Sequence, residues 1–363
     1  MTRRIAWMPL MLVLALVLAA CGGAQSGAAP GTAATSAPAA GGAPAASGSP
    51  TTIVLGAYTT PREAYGKLLP IFKEQWKQQT GQDVTFQESY QGSGAQSRAI
   101  VEGFEADIAA LSLEADISRI QKAGLITHDW KSGTYKGMVS NSVVVFAVRK
   151  GNPKGIKDWA DLAKPGIQIL TPDPKTSGGA QWNILALYGA AKRGFVEGVP
   201  KDDDAAAAEF LKSILKNVAV MDKGARESIT NFEKGVGDVA ITYENEVLVG
   251  QAAGQDYEMV IPRSSILIEN PVAVIDTHVD KHGNRKLAEA FVAFLLSPEA
   301  QKVFADTGGL RSVDPAVAKE TSSRYPPVED LFPIGYFGGW SEATPKYFGD
   351  DGIYSKVIAE VQQ

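Results

Sequence analysis

Cysteine is almost absent from this 363-residue chain, which contains a single one, Cys21. A lone cysteine excludes a disulfide within the chain. Histidine is scarce as well: the chain contains His128, His278 and His282 only. An excess of basic residues is also missing, because 35 Lys and Arg stand against 40 Asp and Glu and the formal net charge is −5. A mildly acidic chain without a basic block argues against nucleic acid as a partner.

The first 21 residues have the pattern of a secretory signal. Arg3 and Arg4 precede an apolar run over residues 8–20, which is short for a transmembrane helix. The run ends in Leu18-Ala19-Ala20-Cys21. That tetrapeptide resembles the lipobox of bacterial lipoproteins, which implies cleavage before Cys21 and a lipid on Cys21 that anchors the protein to a membrane. The alternative is an incidental or buried thiol.

Charged residues are missing from residues 22–50, which consist of Gly, Ala, Ser, Thr, Pro and one Gln. A segment of this composition cannot bury a core and is predicted to be a flexible tether. The folded part then extends from Thr51 to Gln363. About 300 residues exceed the usual size of one core and indicate two domains.

Strand and helix patterns alternate along the folded part, which predicts an α/β protein with a parallel sheet. We place the first domain at residues 51–140 and 263–363 and the second at residues 141–262, with packing of the C-terminal helices on the second domain left open. Thr60-Pro61-Arg62-Glu63 predicts a helix capped by Thr60, with Pro61 in its first turn, a bend at Pro70 and a stop at Gly81. Two crossings between domains predict a hinged cleft.

The segment from Thr171 to Ala180, TPDPKTSGGA, predicts a strand end, a turn and a helix start. Gly178 and Gly179 allow close approach of the backbone to a ligand, and Ser177 adds a hydroxyl beside the unpaired N–H groups of the first helical turn. This is the pattern of an anion cradle. The alternative is an ordinary N-cap with turn glycines, since caps are far commoner than anion sites.

Four further loops follow predicted strands and contain small or polar residues. Ligands of open α/β sheets bind outside the carboxyl ends of the strands, so these loops are expected to converge with the cradle on a small-ligand cleft. They contain Thr59 and Thr60, Ser93 and Gly94, Gly224 and Ala225, and Tyr243. Each of them alone is also explained as a cap, a helix start or a half-buried aromatic.

Several stretches together resemble the periplasmic sulfate-binding proteins of ABC transporters and the related thiosulfate-binding proteins, over essentially the whole folded part. They are GSG at 92–94, KGNP at 150–153, PDPKTSGGAQWN at 172–183, GAR at 224–226, YENE at 243–246 and FGGW at 337–340. The resemblance implies a two-domain type II periplasmic-binding-protein fold with a hinged ligand cleft, no catalysis, no cofactor and no metal. It also implies a monomeric extracytoplasmic receptor that delivers sulfate to the permease subunits.

The resemblance also implies which groups bind the anion without a countercharge. They are the N–H groups of Ser93, Gly178, Gly179 and Ala225, and the N–H and hydroxyl of Ser177. Thr59 occupies a position where the family has an Asp that acts through its backbone, and Tyr243 stands where sulfate-binding relatives have a Trp whose indole N–H donates. A tyrosine hydroxyl donates and accepts, so thiosulfate, molybdate or an organic sulfonate stays open as the ligand.

Other functions have weaker support in the sequence. A serine hydrolase built on Ser177 lacks the Gly-x-Ser-x-Gly pattern. His278 and His282 lie near acidic residues, but we expect a solvated turn there and no metal site. A ferric site requires clustered tyrosines, and Tyr243 has no adjacent partner. A surface lipoprotein without a transport role is the remaining alternative.

Overall fold

The computed structural model describes residues 51–363, and the predictions for the signal segment, Cys21 and the tether lie outside the described residues. The described part forms one sheet flanked by helices. Its strands are β1 (Thr51–Tyr58), β2 (Val84–Gln91), β3 (Ile108–Ala110), β4 (Met138–Arg149), β5 (Ile169–Pro172), β6 (Val218–Asp222), β7 (Val239–Tyr243), β8 (Tyr257–Val260), β9 (Ser264–Val274) and β10 (Asp330–Phe332).

Helices connect most of these strands. They are α1 (Arg62–Thr80), α2 (Ser93–Val101), α3 (Glu114–Lys122), α4 (Trp159–Leu162), α5 (Gly178–Lys192), α6 (Asp204–Lys216), α7 (Ala225–Glu233), α8 (Glu244–Ala252), α9 (Asp276–His282), α10 (Arg285–Leu295), α11 (Pro298–Asp306), α12 (Pro315–Thr321), α13 (Trp340–Ala343) and α14 (Ile353–Val361). None of the helices within residues 51–363 has the length and apolar composition that crossing a membrane requires.

The strand order β2-β1-β3-β9-β4-β7-β5-β6 places the long strands β4 and β9 in the middle. We call β1–β3 the first half of the sheet and β5–β7 the second half. Each half is parallel within itself, since β1 pairs with β2 and β3, and β5 pairs with β6 and β7, in parallel. β4 and β9 run antiparallel to each other, β9 runs antiparallel to its neighbour β3, and β4 runs antiparallel to its neighbour β7. The prediction of a parallel sheet is therefore wrong for these two strands, because the chain passes along them from one half to the other and back.

Separate apolar clusters support the two halves. One surrounds β1 and contains Phe72, Phe291 and Phe304, while another lies beside β5 and contains Trp159 and Trp182. Trp340 of α13 belongs to the second cluster and packs edge-on against Trp182 with ring centroids 4.7 Å apart. The domain boundaries given above stay a prediction.

One local prediction at α1 is wrong. Pro61, not Thr60, occupies the N-cap position, and no side chain caps the helix. Pro70 lies inside α1, which continues from Arg62 to Thr80, and the bend at Pro70 stays a prediction. The predicted stop is confirmed, because Gly81 adopts the left-handed conformation with φ of 75°, which glycine tolerates best.

The segment with His278 and His282 is the helix α9, so the prediction of a solvated turn there is wrong. Ile275 and Val279 are fully buried four residues apart, which is the spacing of an inward helix face. His278 is buried and its Nδ1 lies 2.7 Å from the carbonyl oxygen of Ala106. The structure shows no group of three or more metal-ligating side chains among residues 51–363.

Candidate functional site

The site is built around three helices that each begin within six residues of the end of a sheet strand. α2 starts at Ser93, α5 at Gly178 and α7 at Ala225. Gly92 and Gly224, which precede α2 and α7, offer no side chain as a cap. The first N–H groups of a helix have no partner inside the helix and carry the positive end of its dipole. Three such ends from the two halves of the sheet therefore face the same region.

The glycines show how closely these elements approach one another. A methyl group placed on Gly179 would lie 3.3 Å from Cε1 of Tyr243 and 3.4 Å from both Cβ of Ala225 and Oγ of Ser177. A methyl group on Gly178 would lie 2.7 Å from Oγ of Ser112. The structure thus brings Ser177, Gly178, Gly179, Ala225 and Tyr243 together at one point, which we call the anion cleft.

Ser93 and Thr59 reach the same region from the first half of the sheet. The Ser93 hydroxyl accepts the N–H of Ser112 at 2.9 Å and donates to Oδ2 of Asp116 at 2.6 Å, so only its backbone N–H is left for a ligand. A methyl group on Gly224, the residue before Ala225, would lie 3.6 Å from Oγ1 of Thr59. All seven predicted ligand residues therefore border the anion cleft, and their roles in binding stay predictions.

Several backbone donors in the cleft are unused. Within residues 51–363 no protein acceptor pairs with the N–H groups of Ser93, Gly178, Gly179 and Ala225. Ser177 differs from the expectation, because its N–H donates to the Asp173 carbonyl at 2.9 Å. Its hydroxyl oxygen accepts the N–H of Ala180 at 3.3 Å, which keeps the hydroxyl proton available to a ligand. The cleft is thus rich in donors.

Tyr243 is fully buried at the end of β7. Its hydroxyl oxygen lies 2.6 Å from Oγ of Ser112, a residue that follows β3 in the other half of the sheet. Burial raises the pKa of the Tyr243 phenol, so the group stays neutral and keeps its proton. Ser112 was missed from the sequence, although it follows a predicted strand as the other site residues do.

Acidic side chains near the cleft are neutralised by arginines. Asp116 accepts a bond from Arg119 at 2.6 Å, and Glu244 binds Arg311 through both oxygens at 2.7 and 2.9 Å. Glu246 lies 2.8 Å from Arg226, yet burial outweighs this attraction and raises the pKa of Glu246 to about 7.

Arg226 also joins the two halves of the sheet. It follows Ala225 at the start of α7 and binds both carboxylate oxygens of Glu63 on α1 at 2.6 and 2.8 Å. A second connection is the N–H of Ala95 in α2, which donates to the Thr176 carbonyl at 3.1 Å. These contacts close the cleft around the unused donors.

A cleft of this kind between two sheet halves is the architecture of a receptor for a small solute. The profile of the family described as "Bacterial extracellular solute-binding protein" matches residues 53–309, and the chain belongs to that family. Within it the chain groups with the sulfate- and thiosulfate-binding proteins, as the following relatives show.

The sulfate-binding protein of Synechococcus elongatus is 42% identical over 343 residues, which cover 94% of this chain and 92% of the relative. The thiosulfate-binding protein of Pseudomonas aeruginosa is 35% identical over 309 residues, covering 84% and 91%. The solved sulfate-binding protein SubI from Mycobacterium tuberculosis H37Rv superposes with a TM-score of 0.75 at 38% identity, covering 82% of this chain and 99% of that one. The predicted two-domain solute-binding fold and family are thereby confirmed.

Proposed function

We propose that this chain binds sulfate in the anion cleft and delivers it to the permease of an ABC transporter. The observation that carries the proposal is the convergence of three helix starts whose N–H groups have no protein acceptor within the described residues. Its relatives include sulfate-binding proteins with more than 40% identity.

Donors alone suffice to hold a dianion. A hydrogen bond to a charged group contributes about 1.5 to 3 kcal/mol, so five or six donors supply roughly 8 to 18 kcal/mol before the costs of association and closure. Those costs are several kcal/mol at least, and we expect a Kd between about 1 μM and 1 nM. Hydrogen phosphate carries a proton that requires an acceptor, whereas sulfate carries none. A donor-rich cleft therefore favours sulfate.

Thiosulfate is the second candidate ligand. Tyr243 in place of the family's Trp supports it, together with the identity of 35 to 36% to thiosulfate-binding relatives. Molybdate and organic sulfonates are further candidate ligands, and the same titration tests them. Calorimetric titration of the purified chain with sulfate, thiosulfate, phosphate, molybdate and an organic sulfonate decides between them, and no binding of any of these anions would favour a surface lipoprotein without a transport role.

We further propose that Cys21 bears a lipid, that the protein acts as a monomer outside the cytoplasm and that it catalyses nothing. The motif before Cys21 supports the anchor. The site supports the absence of catalysis, because His278 and His282 bond to Ala106 and Asp107 and neither pairs with Ser177. Cys21→Ser should release the protein from membranes, and unchanged membrane association would refute the anchor.

A further inference from the structure

A pair of hydroxyl groups bridges the two halves of the sheet at the anion cleft. Ser112 follows β3 and Tyr243 ends β7, and their hydroxyl oxygens lie 2.6 Å apart. Both residues are 1% exposed. Two hydroxyl groups bring two protons, and only one of them is used between the pair. The inference that follows rests on the proposed function and concerns the second proton.

Ser112 is held in place by its backbone. Its N–H donates to Ser93 Oγ at 2.9 Å, and its carbonyl oxygen accepts bonds from Trp182 Nε1 at 3.0 Å and from Asn270 Nδ2 at 3.2 Å. These bonds come from α2, α5 and β9, so three elements position one serine. The Ser112 side chain therefore has little freedom to leave the cleft.

Either hydroxyl group of the pair can donate to the other. Within residues 51–363 neither hydroxyl has a second hydrogen-bond partner. Asn270 Nδ2 donates to the Ser112 carbonyl oxygen, and Asn270 Oδ1 accepts from Ser140 at 3.4 Å. One proton of the pair is therefore left for a ligand, whichever direction the bond takes.

When Tyr243 donates to Ser112 Oγ, the Ser112 proton is left without a protein acceptor. Within residues 51–363 the only partner of Ser112 Oγ is Tyr243. Oγ lies 2.7 Å from the position of a methyl group on Gly178, whose own N–H is one of the unused donors. The hydroxyl of Ser112 therefore stands beside the backbone donors of α5, where an anion oxygen would rest.

We propose that Ser112 is a specificity-determining residue of the anion cleft: Tyr243 donates to Ser112 Oγ, and Ser112 donates its own proton to one oxygen of the bound tetrahedral dianion. The two hydroxyl groups together therefore donate one hydrogen bond to the anion, as a single donating side chain at position 243 would. In this direction of the bond, the pair offers the Ser112 proton as a donor to the ligand. It favours oxygen over sulfur, since sulfur is a weak acceptor.

Titration of the purified chain with sulfate and with thiosulfate tests this role. Ser112→Ala should lower the sulfate affinity about 10- to 100-fold, the effect of one lost bond to a charged group. The thiosulfate affinity of Ser112→Ala should fall less, so this variant should prefer sulfate over thiosulfate by a smaller factor than the unsubstituted protein does. Tyr243→Phe leaves the Ser112 proton in place and should cost less than Ser112→Ala, and the double variant should bind no worse than Ser112→Ala alone.

Ser265→Ala is the matched control. Ser265 is a fully buried serine whose hydroxyl donates to the Val144 carbonyl at 2.7 Å, and it belongs to the sheet and not to the cleft. Ser112→Cys has a somewhat larger side chain and a weaker donor. It should bind with intermediate affinity, and it replaces the Ala variant if that variant does not fold. Thermal melting reports the folding of each variant.

The outcomes separate this role from the proposed function. If the unsubstituted protein binds sulfate and Ser112→Ala binds it within about twofold, the role of Ser112 is wrong while the receptor function stands. Equal losses for sulfate and thiosulfate would refute the specificity role. Failure of the folded, unsubstituted protein to bind sulfate would overturn both proposals together.

Discussion

Ser177 combines two tasks in one hydroxyl group. Its oxygen caps α5 by accepting the Ala180 N–H at 3.3 Å, and its proton is available to the cleft. Ser297 performs only the first task, since its oxygen caps α11 by accepting the Ala300 N–H at 3.2 Å. The comparison of the two serines separates the cost of a lost cap from the cost of a lost ligand bond.

We expect Ser177→Ala to weaken sulfate binding by about 1 to 3 kcal/mol, as measured by calorimetry. Both Ser177→Ala and Ser297→Ala should lower the free energy of unfolding by about 1 kcal/mol, the usual cost of a lost Ser cap. Ser297→Ala should bind sulfate normally. Normal binding by Ser177→Ala would remove its hydroxyl from the site.

Glu246 should make the stability of the protein depend on pH. Burial raises the pKa of Glu246 to about 7 from an unfolded value near 4.5. Between pH 4.5 and pH 7, the folded state therefore keeps a proton on Glu246 that the unfolded state has released. The contribution of Glu246 to the free energy of unfolding is fully present below about pH 4.5 and is lost as the pH rises to about 7. The loss amounts to about 2 to 3 kcal/mol.

Urea unfolding between pH 4.5 and 7.5 measures this effect. The free energy of unfolding of Glu246→Gln should fall less over that range than that of the unsubstituted protein, because glutamine does not titrate. Glu209→Gln, an exposed change on α6, provides the control for the loss of one carboxylate. Superimposable profiles for the protein and Glu246→Gln would show that Glu246 does not titrate there.

At the scale of elements, the site depends on helices that begin at the sheet without a side-chain cap. α2 and α7 follow glycines, so water, a neighbouring chain segment or a ligand must satisfy their first N–H groups. α2 gives one of these groups to the Thr176 carbonyl. Backbone donors need no desolvated countercharge, which explains how these helices serve an anion.

Two helix glycines differ in what surrounds them. A methyl group on Gly66 in α1 would have nothing within 4 Å, whereas a methyl group on Gly189 in α5 would lie 2.3 Å from Cζ of Phe332. Gly66→Ala should raise the free energy of unfolding by about 0.5 to 1 kcal/mol, because alanine loses less backbone entropy in a helix.

Gly189→Ala should lower the free energy of unfolding by about 1 to 3 kcal/mol through overpacking against Phe332. The midpoints of urea unfolding of the two variants therefore move in opposite directions. A stabilising Gly189→Ala would mean that the contact between α5 and β10 is looser than the structure indicates.

At the scale of the whole molecule, the ion pair between Glu63 and Arg226 links the two halves across the cleft. A ligand that binds the closed form gains from every contact that favours closure. Both side chains are partly exposed, at 35% and 27%, so the pair contributes about 1 kcal/mol.

Glu63→Gln should therefore lower the sulfate affinity about fivefold without touching the anion donors, as measured by calorimetry. Glu320→Gln provides the control, since Glu320 pairs with Lys302 at 2.6 Å between α12 and α11, and it should bind normally. If Glu63→Gln binds as tightly as the control, the ion pair does not contribute to closure.

Local patterns in the chain were enough to predict most strands, the helix stop at Gly81 and the seven residues that border the anion cleft. Strand ends and helix starts depend on short-range periodicity, turn residues and caps, which a sequence displays directly. The resemblance carried by TPDPKTSGGA also led to the confirmed family.

Tertiary structure decided what short-range patterns do not contain. β4 and β9 are antiparallel because of where the chain crosses between halves, and α1 begins at Arg62 without the side-chain cap that Thr60 was expected to provide. Ser112 lies 131 positions from Tyr243, and Glu63 lies 163 positions from Arg226. Hydroxyl pairs and ion pairs over such separations depend on how whole elements pack, so the partner of Tyr243 became visible only in the folded chain.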